Sequence, residues 1–281
     1  MKFPIGTVAG AMALCAQIAL AADVDRTGGP YVPTPQSVVD AMLEVASVGP
    51  EDFVVDLGSG DGRIVLTAAT KHKASGMGVD IDPDLVDLAN ASARKLGIAD
   101  RVRFVQQDVF AADLSRTTVL TLYLLPGMMQ SLRPKLLADL KPGTRIVSHD
   151  FTFDLWKPDR TVTVETEEKY EITGIWTSDV HLWIVPATVQ GAWRITRVGE
   201  KGGGRLDIRQ GFQHFKGRFS SGDRTVELKD GHLEGARLSF SVPAGNGRRE
   251  MFTGTVDRDQ ILGEVREGEM VIARWSATRV P

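Results

Sequence analysis

The stretch "VVDLGSGDGRIVLTAA", Val54–Ala69, constrains the chain more than any other. It begins apolar and β-branched and ends as an apolar helix-former, with Gly58, Gly60 and Gly62 between. A strand that turns at once into a helix is the entry unit of an open parallel sheet, and the turn takes glycine where φ must be positive. A glycine loop at a helix start ordinarily cradles phosphate, because backbone N–H groups and the helix dipole favour an anion there. This loop carries its own acids, Asp56 and Asp61, with Ser59 between them. The acids would repel a pyrophosphate, and the Gly58-x-Gly60-x-Gly62 spacing departs from the Gly-x-Gly-x-x-Gly of dinucleotide sites. A ligand that brings positive charge to the loop is expected instead.

The alternation of strand and helix continues on both sides. Strands are expected at 53–57, 76–81, 102–107, 117–124 and 144–149, and helices at about 62–72, 83–96 and 127–140. Before them, "TPQSVVDAMLEVASV" reads as a helix with Thr34 as its cap, Pro35 at the first helical position, and Val38, Val39, Met42, Leu43 and Val45 as its apolar face. Asp82 before Pro83 and Gly97 mark the two ends of another. Strands separated by helices imply a doubly wound, mostly parallel α/β sheet that binds ligands at the carboxyl ends of its strands. After Asp150, "TVTVETEEKYEI" and "DVHLWIVPA" read as two strands with no strong helix between them, an antiparallel edge to the same sheet.

From about Gly191 the pattern changes to short alternating segments separated by Gly, Asp or Asn. That predicts a small antiparallel all-β domain, sandwich or barrel, with Trp193, Phe212, Phe215, Phe219, Phe240, Phe252 and Trp275 in its core. The boundary is expected near Pro186–Gly191, dividing the chain into 22–186 and 187–281. His214 and His232 lack the partners of a metal site, and no metal is expected.

Residues 1–21 read as a secretory signal: Lys2 is the only charge before Asp23, Ile5–Ala22 is apolar and small, and Ala19-Leu20-Ala21 fits a cleavage site. Export is therefore expected, to the periplasm in a bacterium, with an uncleaved membrane anchor at 5–22 as the rival. Cys15, the single cysteine, lies in this segment, so the mature chain forms no internal disulfide. The net charge of −3 argues against a polyanionic partner such as nucleic acid.

Further carboxylates fall at strand ends. "GMGVDID" ends the second expected strand with Asp80, where a carboxylate accepts from both ribose hydroxyls. "VRFVQQDVF" ends the third with Asp108, which suits an adenine amino group. S-adenosylmethionine joins an adenosine to an ammonium and a sulfonium, and so suits all three acids.

Residues 31–186 resemble a class I, seven-strand S-adenosylmethionine-dependent methyltransferase in "DLGSGDG", "GVDIDP" and "QQDVF". More narrowly, "PYVPTP" at 30–35, "DLGSGDGRI" and "LYLLP" resemble the lysine methyltransferases of ATP synthase subunit c and of the adenine nucleotide translocase, with their bacterial relatives. The resemblance stops before 191–281. It implies a Rossmann-like fold and methyl transfer to a protein lysine. Asp56, Gly58 and Gly60 would line the methionine end of the donor, Asp80 the ribose, and Asp108 with Val109 the adenine. Tyr31 and Thr34 would fold over it. Tyr123, after the fourth strand, is the candidate for orienting an amine, and His149 and Asp150, ending the fifth, are the other catalytic candidates. Two alternatives remain: a small-molecule methyltransferase, or a non-catalytic exported binding protein with a relic cofactor fold. Export favours the last, because the donor is made in the cytosol; the complete set of acids favours an enzyme.

Overall fold

Val54, Val55 and Leu57 are fully buried and Asp56 nearly so, which makes β1 (Phe53–Leu57) a strand covered on both faces, as a parallel sheet requires. The computed structural model describes residues 31–198, 203–244 and 247–281. The expected signal at 1–21 and the alternative anchor at 5–22, with Cys15, lie outside the described residues. Among the described residues no helix is long and apolar enough to cross a membrane. The chain divides into two units: one runs to Asp139 and resumes over Ile146–Trp183, the other comprises Leu140–Arg145 and Ile184–Pro281.

In the first unit β2 (Ser75–Asp80) and β4 (Val119–Leu122) run parallel to β1 on either side, and β3 (Val102–Gln106) runs parallel to β2. With β5 (Arg145–His149), β6 (Arg160–Glu165) and β7 (Thr177–Ile184), the seven strands stand in the order β3-β2-β1-β4-β5-β7-β6. β7 is antiparallel to β6. Amide bonds from Asp150 to the Asp179 carbonyl and from Val185 to the Thr144 carbonyl make it antiparallel to β5 as well. This is a Rossmann-like sheet, with its strand order reversing between β1 and β4, where such sheets open a crevice at their carboxyl edge.

Helices α1 (Gln36–Val45), α2 (Arg63–Lys71), α3 (Pro83–Lys95) and α4 (Pro126–Asp139) form where the apolar periodicity predicts them. Val38, Val39, Met42 and Leu43 of α1 are fully buried and pack with Val54, Ile64, Val119 and Val147. Asp82 caps α3, its Oδ1 accepting from the Asp84 amide at 2.9 Å, and Gly97 ends it at φ 67°. Two local expectations are corrected. Thr34 does not cap α1; Pro35 holds the N-cap position, its carbonyl accepts from the Val38 and Val39 amides, and the Thr34 carbonyl is held by Arg63 instead. The "ETEEKYEITG" segment is not continuous strand but contains α5 (Glu167–Thr173). Acids in its first turn favour the helix dipole, and Gly174, at φ 74°, closes it in the left-handed conformation.

The second unit resolves the choice between sandwich and barrel. Its strands are β8 (Gly191–Arg197), β9 (Gly204–Gly211), β10 (His214–Ser221), β11 (Arg224–Glu227), β12 (Lys229–Glu234), β13 (Arg237–Pro243), β14 (Arg249–Asp257), β15 (Gln260–Glu267) and β16 (Met270–Arg279). They follow the order β11-β10-β12-β13-β14-β15-β16-β8-β9, and β9 pairs again with β10. Eight antiparallel strands thus close on themselves, with β11 added on β10. A barrel of this size has an interior that side chains can fill. Trp193, Phe215, Phe219, Phe240, Phe252 and Trp275 fill it. Phe212 is the exception among the expected core aromatics: it sits in the β9–β10 turn at φ 55°, only half-buried. Gly263 makes room for Trp275, since a Cβ there would stand 2.7 Å from the indole nitrogen and 1.9 Å from the Thr253 carbonyl oxygen.

The Trp275 indole N–H is shared between the Thr253 and Glu264 carbonyls at 3.0 and 3.2 Å. Trp275→Ala is expected to destabilise the barrel by about 3–5 kcal/mol, through lost burial and a residual cavity. Urea unfolding followed by circular dichroism checks this; a loss below about 1 kcal/mol would mean that the aromatic interior repacks freely.

Candidate active site

A cavity of ≈ 330 Å³ opens at the carboxyl ends of β1, β2 and β4, within the size range of small-molecule sites. Its floor is the loop between β1 and α2. Gly58, Gly60 and Gly62 take φ of 81°, 52° and 81°, so the alternate glycines are demanded by the backbone. The Gly58 and Ser59 amides both donate to the Val79 carbonyl at 2.8 and 3.0 Å, and the Gly60 amide donates to Asp80 Oδ2 at 2.7 Å. The amides that a phosphate loop would aim at its ligand are therefore satisfied by the adjacent strand.

The acids of the loop have different surroundings. Asp61 forms a bidentate pair with Arg63, from Nε at 3.0 Å and Nη2 at 2.7 Å. Burial raises its carboxyl, but Arg63 more than offsets this and holds it below the ordinary range. The Nη1 of Arg63 reaches the Thr34 carbonyl at 2.8 Å and so fastens the segment before α1 to the cavity rim. Tyr31 lies in that segment, with its ring over Gly60, where a Cβ would come within 2.5 Å of it. Burial, followed by the Asp61 charge, raises the Tyr31 hydroxyl. Asp56 is only 2 % exposed and accepts from Thr121 Oγ1 at 2.7 Å. Burial raises its carboxyl to about 7 against the opposing Thr121 bond, with the charges of Asp80 and Asp61 adding to the rise.

Further along, Asp80 Oδ1 accepts from the Asp82 amide at 3.0 Å, which fixes the carboxylate with lone pairs to spare. Asp108 Oδ1 accepts from the Phe110 amide at 2.9 Å and caps a 3-10 turn, Val109–Ala111. Of the expected cofactor positions, Tyr31, Thr34, Asp56, Gly58, Gly60, Asp80, Asp108 and Val109 all line the cavity. Ser59 also lines it, but its hydroxyl is buried and faces Gly78, where an added Cβ would stand 2.6 Å from it. The carboxylate-bearing wall and the glycine floor fit a polar ligand with cationic groups.

The opposite wall is aromatic and apolar: Tyr123, Leu125, Met128 and Phe151. Of the three expected catalytic residues only Tyr123 lines the cavity. His149 lies behind it, 1 % exposed, with ring centroids 3.9 Å apart and Nε2 2.8 Å from Ser178 Oγ. Burial lowers its imidazole to about 4, against Asp150 and with Lys169 assisting, so the ring is neutral at pH 7. Asp150 takes φ 60° and accepts from Lys169 Nζ at 2.7 Å and from the Asp179 amide at 2.9 Å. Arg63, Met128 and Phe151 escaped the sequence reading. The Asp61-x-Arg63 spacing was a legible signal; Met128 and Phe151 carried none, being apolar residues among many.

The Asp56 carboxyl generates a pH-dependent stability. It ionises at its ordinary 3.8 in the unfolded chain but near 7 when folded. Between these values the folded state holds a proton that the unfolded state has lost, so the stability is full below the lower value and lost as pH rises toward 7. Asp56→Asn, which cannot ionise, is expected to gain on the wild-type melting temperature as pH rises from 5 to 8, by several degrees. Scanning calorimetry across that range checks it; a difference independent of pH would mean that Asp56 ionises normally when buried.

Residues 56–160 match the ANTKMT methyltransferase domain. A protein-lysine N-methyltransferase of Saccharolobus islandicus is 44% identical over 137 residues, 48% of this chain and 85% of its own length. The adenine nucleotide translocase lysine N-methyltransferase of Mus musculus is 34% identical over 152 residues, 54% of this chain and 63% of that protein. The crystal structure of an RNA methyltransferase from Salinibacter ruber in complex with S-adenosyl-L-homocysteine is 51% identical with a TM-score of 0.51, covering 56% of this chain and 96% of that one. The carboxylate-lined cavity and these likenesses converge on the same segment, and the chain belongs to this family of S-adenosylmethionine-dependent methyltransferases.

Proposed function

We propose that the protein transfers a methyl group from S-adenosylmethionine to the ε-amine of a lysine on a protein acceptor. The observation that carries this is the division of the cavity into a carboxylate-bearing wall and the apolar, aromatic wall of Tyr123, Leu125, Met128 and Phe151. In this reading Asp56 with Gly58 and Gly60 holds the methionine end, and its carboxyl ionises on meeting the ammonium. Asp80 accepts from the ribose hydroxyls and Asp108, beside Val109, from the adenine amine. Tyr31 and Thr34 cover the donor.

When bound, S-adenosylmethionine supplies a carbon already activated toward displacement. The chain's own task is to align a neutral amine with it. A lysine entering the aromatic wall leaves water, and desolvation favours its neutral form. Tyr123 presents a hydroxyl and a ring face to the amine; burial, then the Asp150 charge, raises its hydroxyl, so it stays a phenol at pH 7. His149, neutral and packed behind Tyr123, is a weak proton acceptor and serves as a positioning residue. Asp150, already bonded to Lys169, serves likewise. We also hold to export directed by residues 1–21, which N-terminal sequencing of the native protein tests.

The RNA methyltransferase likeness raises a second acceptor class. The chain's net charge of −3 disfavours a polyanion, and the experiment includes it. Labelled methyl transfer into host extract, followed by mass spectrometry, is expected to mark protein lysines. Label confined to RNA or small molecules would overturn the lysine acceptor. Tyr123→Phe is expected to slow transfer by roughly ten- to a hundredfold with little change in donor affinity, the scale of one lost positioning contact. If the ring face alone matters, Phe will be nearly silent and Ala damaging; normal transfer by Tyr123→Ala would remove this residue from the site. Asp80→Ala is expected to weaken donor binding roughly ten- to a hundredfold in a folded protein, read by calorimetry.

A further inference from the structure

The connection between β6 and β7 carries an exposed feature that the methyl-transfer reading does not use. Tyr170 and Trp176 stack with ring centroids 4.3 Å apart and planes 20° apart, yet they remain 44% and 51% exposed. Two large aromatic rings that pack on each other in solvent leave their outer faces open. Glu167 stands one helical turn before Tyr170, and Glu171, one turn on from Glu167, flanks the tyrosine; both are exposed. Ring faces attract cations through their quadrupole, and carboxylates attract them by charge. Both elements of the surface therefore select the same chemistry.

The position of this surface follows from the topology. β7 is antiparallel to both neighbours, with Glu165 opposite Thr177 and Asp150 bonded to Asp179, so α5 sits at the edge where β5 ends. Lys169, beside Tyr170, donates to Asp150 Oδ2 at 2.7 Å and to the Thr177 carbonyl at 2.6 Å. Asp150 Oδ2 is 3.4 Å from His149 Nε2, and His149 stacks on Tyr123 at the cavity wall. A short run of contacts thus ties the exposed rings to the proposed acceptor wall. An extended peptide advances ~3.3 Å per residue, so the preferred offset between the two side chains reads their separation.

We infer that the Tyr170–Trp176 ring pair, framed by Glu167 and Glu171, docks a second cationic side chain of the acceptor polypeptide, a few residues from the lysine that is methylated. This rests on the protein-lysine reading and deepens it: acceptors with neighbouring basic residues are preferred.

The test uses the full chain, saturating donor and synthetic peptides with a single lysine, with arginine placed in turn at each of about six positions on either side. Arginine at the favoured offset is expected to raise kcat/KM about tenfold, chiefly through KM, with the gain shrinking as salt rises. Trp176→Ala and the double variant Glu167→Gln/Glu171→Gln are expected to lose that gain. Their melting temperatures and donor affinities show whether they are folded. Peptides labelled equally well with and without arginine, or a gain that survives in both folded variants, would overturn the surface alone. A chain that binds the donor but labels no lysine in any peptide or extract protein would overturn the lysine reading and this surface with it.

Discussion

The hydrogen bond from the Gly60 amide to Asp80 is the contact on which the site depends. It ties the loop after β1 to the end of β2, and the Gly58 and Ser59 amides add two more bonds to the same strand. Amides so engaged cannot converge on a phosphate, so the crevice has no anion cradle to offset its acids. The same bond fixes Asp80 where an adenosine ribose would lie. One local interaction therefore turns a loop that looks suited to phosphate into one suited to a cationic ligand.

Around that bond three neighbouring acids take three different electrostatic roles. Asp61 is neutralised by Arg63, which also holds the Thr34 carbonyl and with it the segment bearing Tyr31. Asp56 is buried against Thr121, and burial raises its carboxyl to about 7. Asp80 is fixed by two backbone amides. Ionising all three together in one small crevice would be costly, and the structure eases that by pairing one with arginine and raising the carboxyl of another by burial.

The two units solve the problem of exposed strand edges in different ways. The barrel closes through the β9–β10 pairing and fills its interior with six aromatic side chains. The open sheet ends in β3 and β6, and the link between β6 and β7 folds into α5 beside the aromatic wall. The rings of Tyr170 and Trp176 stack in the open at that place, while Lys169 beside Tyr170 reaches Asp150.

Much was determined by the sequence alone, where local chemistry is decisive. The apolar periodicity and the Asp82 and Gly97 signals located the first helices and strands, because caps and amphipathic faces act within a few residues. The acids at Asp56, Asp80 and Asp108 were legible because strand ends converge in a parallel sheet whatever the packing details. Tertiary structure decided what depends on residues far apart in the chain. Thr34 yielded the cap position to Pro35, and its carbonyl is held by an arginine 29 residues away. His149 went behind Tyr123 rather than into the cavity, because β4 and β5 lie side by side with both rings at the same edge. The choice of barrel over sandwich rested on the single pairing of β9 with β10, a closure that alternating apolar residues specify equally well in either architecture. Periodicity reports which face of a strand is buried; only the folded chain determines which neighbour buries it.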